Sequence, residues 1–269
     1  MPDAGALSHP FMQRALLAAA LCGVACACIG THLVARRMTF VGSALTHTLL
    51  PGIAAAFLLG LPPHLGALAA AAATAALIAL AGGKRGGGED AAIGVAQSAL
   101  FAAGVVLMAS SGSWRDFGGM LFGSVLGVGE GDLAWTGVLA AGTVALLLAG
   151  HRALEASAVD EDYARAAGLR PALLRLGLVL LAGAAAASAV SLLGAMLTSA
   201  LLIVPAAGGL LLGRSLAGAM LWASVIAVAG SAAGLVASYH VEALPSGAAM
   251  VAGCCAGFAL ARLWRALRG

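Results

Sequence analysis

All eleven Asp and Glu residues of this chain lie outside its long apolar runs, and that segregation decides what the chain can become. The runs cover 15–35, 45–61, 64–82, 91–111, 133–150, 172–190, 193–213, 216–238 and 247–264. Most approach the 20 or so apolar residues that carry a helix across a bilayer. Only 9% of the 269 residues are charged and 62% are hydrophobic, whereas soluble domains carry about 25% charged residues. No soluble fold of this size hides so much apolar surface. Short alternating segments, the mark of a membrane barrel, are not seen. Gly and Ala recur through the runs, and such small residues let helices pack closely in lipid. The reading is an all-α integral membrane protein. It forms one transmembrane domain over residues 1–269, a polytopic bundle of nine transmembrane helices, or eight if one weak run is only half inserted.

The basic residues order the spans. Arg36-Arg37, Lys84-Arg85, Arg152 to Arg170, Arg214 and the tail Arg262 to Arg268 fall between or after runs. Cytoplasmic loops are enriched in Lys and Arg. Nine spans put all these on one side, with the N-terminus outside and the C-terminus in the cytoplasm. Arg14 alone sits on the wrong side, where it can snorkel to the interface. The scattered positive charge argues against a nucleic-acid partner. The run 15–35, followed by two arginines, reads as a retained first span and not as a cleaved signal. Cys22, Cys26 and Cys28 read as small buried helix residues, not as a metal site or a disulfide framework.

Within the apolar runs, one ionisable residue calls for explanation. His47 lies in Gly42-Ser43-Ala44-Leu45-Thr46-His47-Thr48-Leu49-Leu50-Pro51-Gly52. An ionisable residue at membrane depth marks a functional site by default, and imidazole is a ligand for zinc and related ions. Ser43 lies four residues earlier on the same helical face. Pro51 lies four later and removes the hydrogen bond that would close on the His47 carbonyl. The residues alone leave two readings open: a cation ligand, or an imidazole bonded to a neighbouring carbonyl. A second punctuated run spans 193–209, with Gly194, Ser199 and Pro205; interrupted helices line translocation paths because irregular backbone is tolerated only against protein or water. No acid lies in any run, which counts against ion-coupled secondary transport, and no phosphate-binding loop of the Walker type occurs. The longest polar stretch, 151–171, predicts a two-turn helix over 159–170. It is capped by Asp160 to Asp162 and stopped at Gly168, with Ala164, Ala167 and Gly168 forming a small smooth face for docking.

Taken in order, these pieces resemble the membrane subunit of ABC-type zinc/manganese importers, the ZnuB-like permease family. The resemblance runs from about residue 11 to residue 264. It is carried by Arg36 to Gly42, by Ala44 to His47 with Leu50-Pro51-Gly52, and by Leu121 to Leu126 with Asp132-Leu133. Asp162, Ala164 and Gly168 follow, then Leu193 to Leu197, Leu201 to Ala207, and Leu244 to Gly247. It implies a homodimeric permease in the bacterial inner membrane. Two cytoplasmic ABC ATPase subunits would drive it, an extracytoplasmic metal-binding protein would supply it, and the lipid bilayer would surround it. The chain would have no catalytic residues and no cofactor of its own; the transported ion would be zinc before manganese or iron. His47 matches the family's histidine on the metal path, while Ser43 stands where an aspartate is usual. Gln97 stands where some zinc-type members carry histidine, and Ser124 where some carry an acid. The helix at 159–170 would couple to the ATPase through Asp162, Ala164 and Gly168, and Pro51, Gln97, Ser199 and Pro205 would line or gate the path.

Two other functions fit less of the chain. The missing acid at Ser43 suits import of a metal chelate or another small solute. An intramembrane enzyme would use Ser43 with His47, but no buried acid orients the imidazole and no oxyanion device is recognisable.

Overall fold

A computed structural model describes residues 9–81, 88–110, 127–241 and 244–268. The basic loop at Lys84-Arg85 and the segment through Ser124 lie outside the described residues. Among the described residues ten helices follow in order: α1 Pro10–Ala35, α2 Thr39–Thr48, α3 Leu50–Leu58, α4 Pro63–Ala81, α5 Gly88–Ser110, α6 Glu130–Val159, α7 Glu161–Ala166, α8 Pro171–Leu212, α9 Leu216–His240 and α10 Ser246–Leu267. No strand occurs among the described residues. The stretches Pro10–Ala35, Thr39–Leu58, Glu130–Val159, Pro171–Leu212, Leu216–His240 and Ser246–Leu267 are long and apolar enough to cross a membrane; Pro63–Ile78 and Ile93–Ala109 are shorter apolar helices.

The 42-residue α8 would measure about 63 Å if straight, twice the hydrocarbon core of about 30 Å. It is not straight. Gly194 takes φ 80 and ψ 161, a conformation essentially reserved for glycine, and the chain doubles back there. The packing partners prove the reversal. Arg175 shares a cleft with Arg36 at one end of α1. Further out, the Ser188 carbonyl meets Cys22, midway along α1. Beyond Gly194, the Leu202 carbonyl lies against Gly30, again near the first end. So α8 is two antiparallel limbs, and the apolar runs expected at 172–190 and 193–213 are those limbs. The break falls at Gly194; Pro205 lies buried inside the second limb. With α2 and α3 taken as one interrupted span, the described residues contain nine apolar limbs.

α8 forms the centre, packed against α1, α2, α4, α6, α9 and α10. The contacts are made by small residues. A Cβ on Gly30 would fall 1.8 Å from the Leu202 carbonyl oxygen, so only glycine admits this crossing. Cys22 and Cys28 turn to different helices, Cys22 to the Ser188 carbonyl at 3.9 Å and Cys28 to the Ser224 hydroxyl at 3.5 Å. They are packing residues, as expected.

The ends of the bundle differ in charge. Arg36, Arg37, Arg175, Arg214, Arg265 and Arg268 line clefts at the end where α1 stops and α7 sits. Arg14 is at the other end, paired with Glu130 at 2.5 Å. That partner, 116 residues away, explains the arginine that topology alone could not place. α6 is longer than the run 133–150 predicts, continuing to Val159. Ala, Leu, Arg and Glu are strong helix formers, so the helix persists after its apolar stretch ends.

Candidate functional site

α2 begins directly after a tight turn. Arg37 closes α1 in a left-handed conformation, φ 58. Its N–H bonds the Val34 carbonyl at 3.0 Å, and the Met38 N–H bonds the Leu33 carbonyl at 2.8 Å, the paired bonds of a Schellman cap. A non-glycine residue here costs about 1–2 kcal/mol. Burial lowers the affinity of the neighbouring Arg36 guanidinium for its proton, opposed by Glu161 and reinforced by Arg175. Arg36 reaches the Leu154 carbonyl and the Ser157 hydroxyl, tying the turn to α6.

On α2, Val41, Gly42, Ala44, Leu45, Thr46 and Thr48 are buried, whereas Ser43 and His47 are only half-buried and Phe40 is exposed. These three stand at i, i+3 and i+7, on one face. The helix then breaks at Leu49. Pro51 supplies no N–H, and the His47 carbonyl accepts a backbone N–H from the break at Leu49–Leu50 instead. The expected backbone interruption beside His47 is therefore present.

α5 runs parallel to this interrupted span. Phe40 packs at Gly94, the His47 ring meets Phe101 edge-on at 5.8 Å, and Pro51 with Leu50 lies against Gly104. The offset is 53 or 54 residues throughout, which puts Gln97 level with Ser43. Gln97 is half-buried too. The structure thus brings Ser43, His47, Gln97 and Pro51 into one row along α2, α3 and α5. Beside the row is a small pocket lined by Ala44, Thr48, Thr74, Ile93 and Ala96, into whose wall Thr74 carries a buried hydroxyl without a described partner.

Ser199 and Pro205 lie elsewhere. Ser199 donates to the Met196 carbonyl on its own helix at 2.8 Å, and Pro205 is buried on the limb that packs against α1 and α9. No described contact links either to His47. The residues expected to couple to an ATPase, Asp162, Ala164 and Gly168, lie on α7 and its C-terminal turn. Asp160 caps α7, accepting from the N–H groups of Asp162 at 2.8 Å and Tyr163 at 3.1 Å. Gly168, at φ 81, ends it in a second Schellman cap, with bonds to the carbonyls of Arg165 and, through Leu169, Ala164. Ala164 is wholly buried, so it anchors α7 to the bundle and does not form part of an outward docking face. Asp162, Tyr163, Ala167 and Gly168 are exposed.

Sequence reasoning missed one cluster. His32 on α1 and His151 on α6, 119 residues apart, face each other with Nε2 and Nδ1 separated by 3.2 Å. Glu155 lies 3.7 Å from the other nitrogen of His151. The clue available was depth: each histidine sits at the arginine-rich end of its run. Among the described residues no group of three His, Cys, Asp or Glu side chains is placed to hold a metal.

Nine apolar limbs, a glycine-driven reversal and a row of polar side chains within a helix-packed wall define a polytopic membrane protein with an interrupted, polar-lined helix. The profile of the ABC 3 transport family matches residues 8–266, and the chain belongs to that family. It is similar to the manganese transport system membrane protein MntC of Listeria monocytogenes, 32% identical over 92% of this chain and 88% of that protein. The probable iron transport system membrane protein of Haemophilus influenzae is 32% identical over 88% of each. Among solved structures, PsaBC from Streptococcus pneumoniae in complex with Fab aligns with a TM-score of 0.88 at 28% identity, covering 96% of this chain and 93% of that one.

Proposed function

We propose that this chain is the membrane permease of an ATP-driven importer for a divalent first-row metal ion. One observation carries the reading. Ser43, His47 and Gln97 form a polar row that the chain's own helices leave half-covered, on limbs that are mostly apolar. Ionisable residues at membrane depth face a bundle interior or a water-filled path, because lipid penalises them. A second copy packed over α2 and α5 would turn the row into such a path. A single imidazole with a hydroxyl and an amide binds weakly, which suits a transit site that must also release.

The names of the similar proteins favour manganese or iron as the cargo. Imidazole also suits zinc, which stays within the same class. The arginine-rich end would face the cytoplasm, with the start of α1 outside. Hydrolysis would come from separate ATPase subunits docked at that end. The exposed residues Asp162, Tyr163 and Gly168 of α7 and its caps would meet them, with Ala164 as the anchor that passes motion to the bundle. An extracytoplasmic binding protein would deliver the ion.

The test is ATP hydrolysis by the reconstituted complex with and without the delivery protein loaded with manganese, iron or zinc. Hydrolysis stimulated by one loaded ion, and not by the empty delivery protein, is expected. Hydrolysis indifferent to all three ions would overturn the proposal. A chelate importer would instead respond only to the chelated metal.

A further inference from the structure

We propose that His32 and His151 form a second cation site, distinct from the His47 row, that binds a borderline divalent metal between α1 and α6 at the arginine-rich end. The facing nitrogens, His32 Nε2 and His151 Nδ1, are 3.2 Å apart, and the ring centres are 5.3 Å apart with planes at 86°. Two imidazoles sharing a tetrahedral ion at 2.0–2.1 Å put their nitrogens about 3.3 Å apart and their ring centres about 5.2 Å apart. The pair already stands at that spacing.

Two further features favour an ion over a closed hydrogen bond. Glu155 Oε2 is 3.7 Å from His151 Nε2. At 3.7 Å this is too long for a hydrogen bond, but a carboxylate on that side favours the Nε2–H tautomer, which turns the Nδ1 lone pair to His32, the orientation found in metal-bound histidines. His32 is wholly buried, and its Nδ1 has no hydrogen-bond partner. The pair is therefore not a self-satisfied unit, and Nδ1 is available to carry the ring proton when Nε2 binds metal. Access is from the side of Glu155, which is half exposed, past the less exposed His151. Water would complete the coordination.

The pair lies nearer the arginine-rich end than the His47 row does. Leu33, next to His32, packs against Gly42, five residues before His47, so His32 sits roughly 7 Å further toward the α7 end. An ion held there would clamp α1 to α6 next to Arg36, Ser157 and the start of α7.

The experiment is titration of the purified full chain in detergent with cobalt(II) chloride, read by visible ligand-field absorbance and by melting temperature. Wild type and His47→Ala should both show a saturable absorbance band and a metal-dependent rise in melting temperature. His151→Ala should lose the tighter phase of both signals, at least a tenfold loss of affinity, keeping only what the weak His47 row contributes, and Glu155→Gln should weaken the tighter phase about tenfold. His32→Ala should match His151→Ala; because His32 is buried, its melting temperature without metal is measured alongside, and the partly exposed His151 decides if His32→Ala fails to fold. A titration unchanged in His151→Ala overturns the proposal and leaves a simple imidazole–imidazole hydrogen bond. A signal lost only in His47→Ala overturns it as well, while leaving the transport reading standing.

Discussion

Replacing Gly52 and Gly66 with alanine, singly and together, probes how closely the interrupted span is held. α3 and α4 cross through these two glycines. A Cβ on Gly52 would stand 2.2 Å from the Gly66 carbonyl oxygen, and a Cβ on Gly66 2.1 Å from that of Gly52, where ordinary contact starts near 3.4 Å. Either methyl therefore forces the helices about 1.2 Å apart at their closest point. Overpacking of this kind costs about 1–3 kcal/mol. For a protein of this size that is roughly a 2–12 °C fall in melting temperature. Both methyl groups demand the same separation, so the second should cost little once the first has opened the crossing. The double variant should then melt close to the worse single one, a coupling of about 1 kcal/mol or more. Melting of detergent-solubilised protein, followed by tryptophan fluorescence, reads all four species. Single variants that melt like wild type, or a double variant whose loss equals the two single losses combined, would refute the close crossing. The same displacement moves Pro51 from Gly104, so transport should fall along with stability.

Four more outcomes follow from particular residues. Ser43→Asp restores a carboxylate one turn from His47 and should tighten manganese binding to the row, checked by titration calorimetry; unchanged affinity would separate residue 43 from the ion. Asp160→Ala removes both cap bonds of α7 at a cost of about 1 kcal/mol and should lower coupled ATP hydrolysis more than protein yield. Arg37→Gly relieves the left-handed strain at φ 58 and should raise stability by about 1 kcal/mol, read as a higher melting temperature. Gly194→Ala puts a side chain at φ 80 and should sharply lower the yield of folded protein, since the reversal of α8 has no other source.

Much of this arrangement could be read from the chain itself, because the bilayer imposes strict rules. Apolar length gave the limbs, and arginine placement gave the shared end. Pro51 gave the interruption beside His47, and Asp160 with Gly168 gave the short helix. What could not be read depends on partners distant in sequence. The boundary between the runs 172–190 and 193–213 located the reversal to within a few residues, but that Gly194 carries it needed the backbone. Ala164 looked like part of a docking face because helical spacing does not say which side meets the bundle. Arg14 looked misplaced until Glu130, across the bundle, accounted for it. Gln97 joined Ser43 only through the register between α2 and α5, and His32 met His151 only through the packing of α1 on α6. Polar side chains in a membrane bundle are placed by tertiary contacts, and these are the part that periodicity does not encode.

The most direct test is uptake of radiolabelled manganese by cells stripped of their own importers and supplied with this chain, its ATPase and its delivery protein. Wild type should accumulate the ion in an energy-dependent way. His47→Ala, at equal membrane abundance and with ATPase subunits still bound, should fall at least tenfold. Undiminished uptake by His47→Ala would show that the ion takes another route and would contradict the account.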